Sequence, residues 1–325
     1  MCSNGLANKL LTISIAAYNV EKYIGKAIES CILSKEARNY IELIVINDGS
    51  NDNTSKIAHM YQERFPQIIT VIDKENGGYG STINFSLNNA HGKYFKLLDG
   101  DDWLITKDLE KFVMGLQNCE EDMVLTNYLF YYGEKSKIAR IKLPIQSSVK
   151  INDIYWKTNF QMHSIAYKTC ILKDKKIKIS ENCFYTDIEF VILPLSVVKT
   201  VCYFDLVVYA YRLNLPTQSV SIKGIKRHYR DSQNVLYRLL NEVSMSDSFL
   251  YKYQIALFAK KVIVNFLIGD SFTTIRKNVE RIDLDILEAD KDIYKLMENK
   301  TMRYLRRSNY LLSSMAKILY LVMNK

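Results

Sequence analysis

Three aspartates stand together at the end of an apolar run in the segment KYFKLLDGDDW, residues 93–103. Asp99, Asp101 and Asp102 follow the run Phe95–Leu98. Carboxylates this close repel one another, and each disfavours ionisation of the others. Mg²⁺ or Mn²⁺ can neutralise such a cluster, because these cations take hard oxygen ligands. The segment therefore predicts a metal site, although a plain turn before the next helix would explain the same residues without one.

The spacing of these residues suggests how the site is used. Alternation along an extended chain puts Asp99 and Asp101 on the same side, and Gly100 between them leaves room for a ligand. Mg²⁺ is usually held by one or two carboxylates together with substrate phosphates. We therefore expect the pair to hold a metal next to the ribose or diphosphate of a nucleotide.

Four apolar segments alternate with helical patterns in the first third of the chain, and they predict strands at 10–18, 41–48, 68–73 and 93–99. Apolar residues at helical spacing follow each strand, with Asn19 and Thr106 as predicted caps. The alternation favours a parallel sheet with helices on both faces. Ligands bind such sheets outside the carboxyl ends of the strands, where Asn19, Asp48, Asp73 and the three aspartates stand.

The pattern changes beyond residue 120. Further strands are predicted at 122–132 and 200–212, with a short helix at 187–198 between them, and the chain after Gly224 has helical periodicity throughout. We expect an α/β domain at 1–222, followed by an all-helical region at 223–325.

Composition limits the classes of protein. The 325 residues are 48% hydrophobic and 24% charged, with a net charge of +9. The basic residues are dispersed, and no recognition motif accompanies them, so nucleic-acid binding is not predicted. The six cysteines form no C-x-x-C pair, which argues against structural zinc. No basic leader and no run of 18 apolar residues occurs, so we expect a cytoplasmic protein with reduced thiols.

Four segments together resemble a bacterial family 2 glycosyltransferase, an inverting enzyme with the GT-A fold. They are SIAAYNVEKYI, IVINDGSNDNT, ENGGYGSTINFSLNNAHGKYFKLLDGDDW and YTDIEF. The resemblance is strong over residues 10–103 and weaker to about 221. It implies a nucleotide-sugar half near 10–103 and an acceptor half near 104–222. It also implies a UDP-sugar donor and Mn²⁺ or Mg²⁺ as cofactor.

The resemblance assigns roles to residues of the first half. Asp99 is expected at the ribose or in the metal's shell, Asp101 as direct metal ligand, and Asp102 as a group that orients the sugar or the loop. Asp48 is expected to accept from the uracil or ribose, unless it merely forms the turn before Gly49. The full set expected to contact the donor is Ala17, Tyr18, Asn19, Asp48, Asn76, Gly77, Asp99, Gly100, Asp102, Ser219, Lys223 and Arg227.

A second carboxylate is needed to take the proton of the attacking hydroxyl. Asp187 stands where the family usually has Glu-Asp, although Thr186 replaces the Glu. Glu189 is the alternative base and a predicted acceptor contact. Asp187 is also placed to act simply as a favourable charge at a helix N-terminus.

The acceptor site and a closing loop are less defined. Trp103 either stacks on the acceptor sugar or fills the core, and His163 is expected to border the acceptor. The segment QSVSIKGIKRH, residues 218–228, resembles the family's mobile loop over the diphosphate. His228 is a possible third metal ligand or a plain surface histidine.

The C-terminal segment is amphipathic and has no acidic residue from Asn299 onward. Leu311, Met315, Ile318 and Val322 fall on one helical face. We expect this face to pack on the protein's own core, to form a homo-oligomer or to contact a membrane peripherally. For the oligomer, arginines would pair with acids such as Glu280, Asp283 or Asp285 of a neighbour.

The predicted function is metal-dependent transfer of a sugar from a UDP-sugar to a glycan, glycolipid or glycoprotein, in cell-surface glycan synthesis or adhesin glycosylation. One alternative is a nucleotidyltransferase acting on a sugar phosphate, but the first turn, AAYNVEKYI, has no glycine before Gly25 to hold a triphosphate. The other is a non-enzymatic protein that binds an anionic ligand.

Overall fold

The computed structural model of the chain describes residues 9–145, 147–154, 158–213 and 221–323, with side chains up to residue 318. The chain divides into two compact units, one of residues 1–154 and 160–214, the other of residues 155–159 and 215–325. The division falls before the predicted boundary at residue 222, and a short piece of the first half belongs to the second unit.

The predicted sheet is present in the first unit. Its first four strands are β1 Leu11–Ala17, β2 Ile41–Asp48, β3 Ile69–Lys74 and β4 Tyr94–Asp99. They are parallel and lie in the order β3-β2-β1-β4. β1 and β2 are almost wholly buried, as expected for strands covered on both faces. Their carboxyl ends therefore meet at one edge, where the polar residues stand.

Helices cross between these strands: α1 Ile24–Ser30, α2 Thr54–Arg64 and α3 Tyr79–Asn89, with α4 Thr106–Gly115 after the fourth strand. The two predicted caps are wrong. Asn19 has a left-handed backbone (φ 52°), and its side chain accepts from the Asn51 N–H at 2.8 Å, so it fixes a turn instead. Thr106 is the first residue of α4 and donates to the Ser30 carbonyl at 2.9 Å.

The second half of the sheet is mixed. Its strands are β5 Trp103–Leu104, β6 Met123–Tyr131, β7 Ser136–Ala139, β8 Val149–Lys150, β9 Ile165–Lys168 and β10 Thr200–Arg212, with helices α5 Thr169–Asp174 and α6 Asp187–Ile192. β9 runs antiparallel between β4 and β6, and β6 is parallel to β10. β10 also pairs with β5, just after the aspartates, so its C-terminal end comes beside them.

The second unit is helical in its described residues: α7 Ile222–Asn241, α8 Phe249–Gly269, α9 Ile275–Ala289, α10 Lys291–Leu296, α11 Lys300–Arg307 and α12 Ser313–Met323. Arg306 makes a two-pronged ion pair with Asp283 of the same chain, at 2.8 and 2.9 Å. The predicted pairing of that arginine with a neighbouring subunit's Asp283 is therefore wrong. Within the described part of the chain, no helix is both long and apolar enough to cross a membrane.

Candidate active site

The aspartates occupy a tight turn, not an extended segment as predicted. Asp99 ends β4, and its carbonyl accepts from the Asp102 N–H at 3.0 Å. The Gly100 N–H donates to the Ala16 carbonyl at 2.9 Å. A Cβ on Gly100 would lie 2.8 Å from that same oxygen. The glycine is therefore required for the close contact with β1.

The end of β10 holds this turn in place. Asp102 is 1% exposed and accepts from the Tyr209 hydroxyl at 2.7 Å and from the Arg212 N–H at 2.6 Å. The guanidinium Nε of Arg212 donates to the Asp101 carbonyl at 2.8 Å. Tyr209 and Arg212 were not among the residues predicted from the sequence. Alternation along the strand puts their side chains on opposite faces, and Arg212 reaches Asp102 through its main-chain N–H, so the sequence pattern gives no shared signal for the two residues.

Asp99 lies in a buried, negatively charged setting. It accepts from the Tyr79 hydroxyl at 2.7 Å. Burial, and then the charge of Asp101, raise the pKa of Asp99 to about 8. The pKa of Asp102 is also held well above its usual range, first by burial and then by Asp99 and Asp101. A nearby cation would relieve this repulsion and favour the ionised forms.

His163 completes a group of possible metal ligands. It is buried, with its ring centre 4.3 Å from that of Tyr211, and its Nδ1 has no hydrogen-bond partner. Burial and the charge of Lys96 lower the pKa of His163 to about 3, so the ring is neutral. The ligand atoms of Asp99, Asp102 and His163 lie within 4.8 Å of one another. The two carboxylates supply the oxygen ligands that suit Mn²⁺ and Mg²⁺, so they fit the predicted cation.

Asp48 fixes the loop that leads into α3. Its Oδ1 accepts from the Gly77 N–H at 2.9 Å and lies 2.7 Å from the Lys74 ammonium, and its Oδ2 accepts from the Gly78 N–H at 2.9 Å. Gly78 adopts φ 79°, and Gly49 on the facing loop adopts φ 74°. This loop arrangement thus contains three of the residues predicted to contact the donor: Asp48, Asn76 and Gly77. Lys74 also belongs to it and was not predicted from the sequence.

Two residues at the end of the first strand that were predicted to contact the donor differ in their exposure to solvent. Ala17 is buried, whereas Tyr18 is half exposed and can present its ring to a ligand. Asp73, expected on the same acidic rim, accepts from Asn47 at 2.8 Å and lies 2.7 Å from the His59 ring. Its carboxylate therefore links β2, β3 and α2.

Asp187 and Glu189 have different surroundings. Asp187 is the first residue of α6 and is partly exposed, and its charge contributes to the raised pKa of Asp99 and Tyr79. It therefore lies close to the acidic turn. Glu189 is fully buried and accepts from the N–H and the hydroxyl of Ser180, both at 2.7 Å. Its carboxylate anchors the segment before α6.

Trp103 is partly buried beside the acidic turn. The Lys26 ammonium lies 3.5 Å from its ring centre, the Arg212 guanidinium lies 4.8 Å away, and Tyr131 meets the ring edge-on at 5.0 Å. Such cation–π contacts are favourable. Trp103 thus forms part of a pocket wall in which two cations, Lys26 and Arg212, lie against its ring. It does not fill the core.

Of the predicted closing loop, residues 218–228, the structure describes the part from residue 221 onward. Ser219 lies outside the described residues. Lys223 and Arg227 are exposed on α7 of the second unit. His228, on the same helix, lies 3.1 Å from Asp231 through its Nδ1. The histidine whose ligand atom lies close to those of Asp99 and Asp102 is His163. The sequence had predicted His228 as the third metal ligand.

Known proteins with similar sequences or structures agree with this architecture. Residues 12–176, about half of the chain, match the model of glycosyl transferase family 2. An uncharacterized glycosyltransferase of Mycoplasma pneumoniae is 32% identical over 196 residues, which cover 54% of this chain and 64% of that protein. The minor teichoic acid biosynthesis protein GgaB of Bacillus subtilis is 29% identical over 174 residues, which cover 53% of this chain and 19% of GgaB.

The crystal structure of S. aureus TarS 1–349 in complex with UDP-GlcNAc has a similar fold. Its TM-score is 0.65 at 16% sequence identity, and the match covers 97% of this chain and 92% of that one. The chain belongs to glycosyl transferase family 2. It has the GT-A fold, and about half of its length is similar to the minor teichoic acid biosynthesis protein GgaB. The predicted fold class and family are confirmed.

Proposed function

We propose that the protein transfers a sugar from a UDP-sugar to a hydroxyl of a glycan, glycolipid or glycoprotein, with inversion and with help from Mn²⁺ or Mg²⁺. The observation that carries this proposal is the acidic turn of Asp99, Asp101 and the buried Asp102 next to Asp187. It combines a cluster suited to a cation with a separate carboxylate suited to proton transfer.

The donor would lie across the carboxyl ends of β1, β2 and β4, the usual ligand position of an open α/β sheet. Tyr18 offers an exposed ring there. The loop anchored by Asp48 presents main-chain groups close by. The complex of TarS with UDP-GlcNAc supports a nucleotide-sugar donor in a related fold.

Asp99, Asp101, Asp102 and His163 would hold the cation. When bound, a divalent cation supplies positive charge opposite a diphosphate leaving group. The neutral ring of His163 leaves its unpartnered Nδ1 able to donate an electron pair. Tyr79, Tyr209 and Arg212 would keep the carboxylates oriented through the hydrogen bonds described above.

Asp187 would act as general base. An acceptor hydroxyl attacks the anomeric carbon from the face opposite the leaving UDP, and its proton passes to the Asp187 carboxylate. The C–O bond to UDP breaks as the new glycosidic bond forms, so the configuration inverts. Asp187 is the first residue of α6, and a negative charge is stabilising there because the helix N-terminus carries partial positive charge.

The acceptor would approach along the wall that contains Trp103. An indole face suits stacking on a sugar ring, while Lys26 and Arg212 make the surroundings cationic. The similarity to GgaB supports an acceptor that belongs to a cell-surface glycan.

Calorimetry with UDP, in the presence and absence of Mn²⁺, tests the donor site. We expect the wild type to bind UDP tightly only when Mn²⁺ is present. Asp101→Asn should bind UDP weakly both with and without Mn²⁺, while its melting temperature stays unchanged. Asp153→Asn is the matched control, because Asp153 is an exposed aspartate of the same unit. Unchanged UDP–Mn²⁺ affinity in Asp101→Asn would contradict the metal assignment.

Thermal shift distinguishes the alternative functions. Stabilisation by ATP, but not by UDP with Mn²⁺, would favour a nucleotidyltransferase. A panel of UDP-sugars, followed by UDP release in the presence of acceptor glycans, would then identify the donor.

A further inference from the structure

The first turns of helix α12 present apolar side chains to solvent. Leu311, in the turn before it, is 63% exposed, and Met315 and Ile318 are 58% and 52% exposed. Ser313 and Lys317 of the same helix are instead buried. A helix that packs on a protein core normally buries its apolar side. Over residues 313–318, where its side chains are described, α12 therefore departs from that rule.

The buried contacts explain why this orientation is stable. α12 packs against α8 and α9. The Lys317 ammonium donates to the carbonyl of Ile268 at 3.1 Å and to that of Asp270, at the C-terminal end of α8. A cation at that position satisfies unpaired carbonyls and complements the helix dipole. Turning α12 to bury Met315 would break these bonds.

Further apolar and basic groups border this side of the second unit. Phe272 is 55% exposed, and its ring centre lies 5.2 Å from the Lys317 ammonium. Arg276 is exposed and donates through Nε to the carbonyl of Asn309, in the turn that precedes α12. Arg307 is exposed at the end of α11. The turn that leads into α12 is thus held by one exposed cation, and a second is exposed at the end of the preceding helix.

Asp270, the acid that lies near Lys317, is buried, and its carboxylate accepts from the Thr274 hydroxyl and the Asn278 amide. The chain from Asn299 to Lys325 has no aspartate or glutamate. Asp283 and Glu298, the acids in contact with α11, are both paired with Arg306. A second copy of the chain would therefore bring more cations to this surface, whereas an anionic partner would be attracted to it.

We propose that Phe272, Leu311, Met315 and Ile318, bordered by Arg276 and Arg307, dock the second unit on an anionic lipid bilayer. The apolar side chains enter the boundary between headgroups and acyl chains, and the arginines contact the lipid phosphates. Helices of this kind lie in the plane of the interface and do not cross it. The inference is independent of the proposed sugar transfer.

Vesicle sedimentation of the full chain tests the proposal. Vesicles of phosphatidylglycerol mixed with phosphatidylcholine are compared with vesicles of phosphatidylcholine alone. We expect binding to the former and much weaker binding to the latter. The double variant Met315→Gln/Ile318→Gln should bind the anionic vesicles at least about tenfold more weakly, since it removes apolar area from the interface. Arg307→Gln should weaken binding about fivefold.

Two controls make the result interpretable. Met60→Gln/Met245→Gln changes two side chains of matched exposure, 55% and 48%, and should bind like the wild type. Light scattering reports the subunit number of each protein. Equal binding by both double variants would overturn the proposal. So would a wild-type oligomer that ignores vesicles and dissociates in Met315→Gln/Ile318→Gln, since the surface would then join two copies of the chain.

Discussion

The guanidinium Nε of Arg212 donates to the main-chain carbonyl of Asp101 at 2.8 Å, from the end of β10 to the turn after β4. The Arg212 side chain also lies 4.8 Å from the ring centres of Tyr23 and Trp103. One side chain therefore links the acidic turn to the aromatic wall beside it. It leaves the carboxylate of Asp101 available for a ligand.

Arg212→Met should weaken the response to metal without unfolding the protein. The substitution keeps an apolar stem between the rings but removes the donor that orients Asp101. A hydrogen bond from a charged group contributes about 1.5–3 kcal/mol, so the Mn²⁺ concentration for half-maximal activity should increase at least about tenfold. Arg140→Met is the control, because Arg140 pairs with Asp205 on the surface. Equal metal responses in the two variants would show that the Asp101 contact is dispensable.

Asp187→Asn and Glu189→Gln should fail in different ways. Asp187→Asn keeps the size of the side chain and removes the base, so transfer should slow by about 10²–10⁴-fold while UDP binding is retained. Glu189→Gln should chiefly lower the melting temperature, since a buried carboxylate that accepts two bonds from Ser180 is lost. If Glu189→Gln is inactive at full stability and Asp187→Asn is active, the base has been misassigned.

Asp48→Asn should destabilise the first unit. A buried carboxylate there accepts from two N–H groups and an ammonium, and an amide has only one accepting oxygen. We expect the free energy of unfolding to fall by about 3 kcal/mol. Asp73→Asn, at a more exposed carboxylate, should cost about 1 kcal/mol or less. Chemical denaturation measures both, and comparable losses in the two variants would contradict the anchoring role.

Lys96 should make stability depend on pH. Burial lowers its pKa from 10.5 to about 7, and its ammonium donates to the His163 carbonyl at 2.7 Å. Between those two pKa values the unfolded chain binds the proton and the folded chain does not. The wild type should therefore gain unfolding free energy as pH rises, relative to Lys96→Met, which lacks the group.

The relative gain from pH 7 to pH 9 should be on the order of 2 kcal/mol, measured by urea denaturation of both proteins at each pH. Lys168→Met is the control, because Lys168 is only partly buried and pairs with the exposed carboxylate of Glu120. A difference between wild type and Lys96→Met that stays constant over this range would mean that Lys96 remains charged when buried.

The first four strands and the acidic turn could be predicted because their signals are local. Apolar runs of six to eight residues end at Asp48 and Asp99. The observed bounds of the four strands differ from the predicted bounds by no more than one residue at either end. Three of the family's four motifs overlap these same segments. Local signals therefore placed Asp99 and Asp101 together, whereas Asp187, in the motif YTDIEF, was assigned to the site only through the resemblance to the family.

The partners of those residues could not be predicted, because they depend on strand register. Tyr209 and Arg212 are 107 and 110 residues away from Asp102 in sequence. Lys96 and His163 look like surface residues in sequence, yet both are buried. Cysteine contacts also depend on the fold: Cys119 and Cys202 are far apart in sequence but come together beside Glu121. The exposed apolar side chains at the start of α12 likewise depend on a lysine that reaches the end of another helix.

The distance along the chain between Asp102 and Arg212 has a consequence for biosynthesis. β1 to β4 are complete once Asp99 has left the ribosome, and the N-terminal part of a chain folds first during synthesis. The 110 residues that separate Asp102 from Arg212 take about 5–20 s to translate. Throughout that interval the nascent chain displays three aspartates without the strand that orients them. The protein therefore acquires its finished carboxylate geometry late in translation, and a ribosome stalled before Tyr209 would carry a sheet without an ordered site.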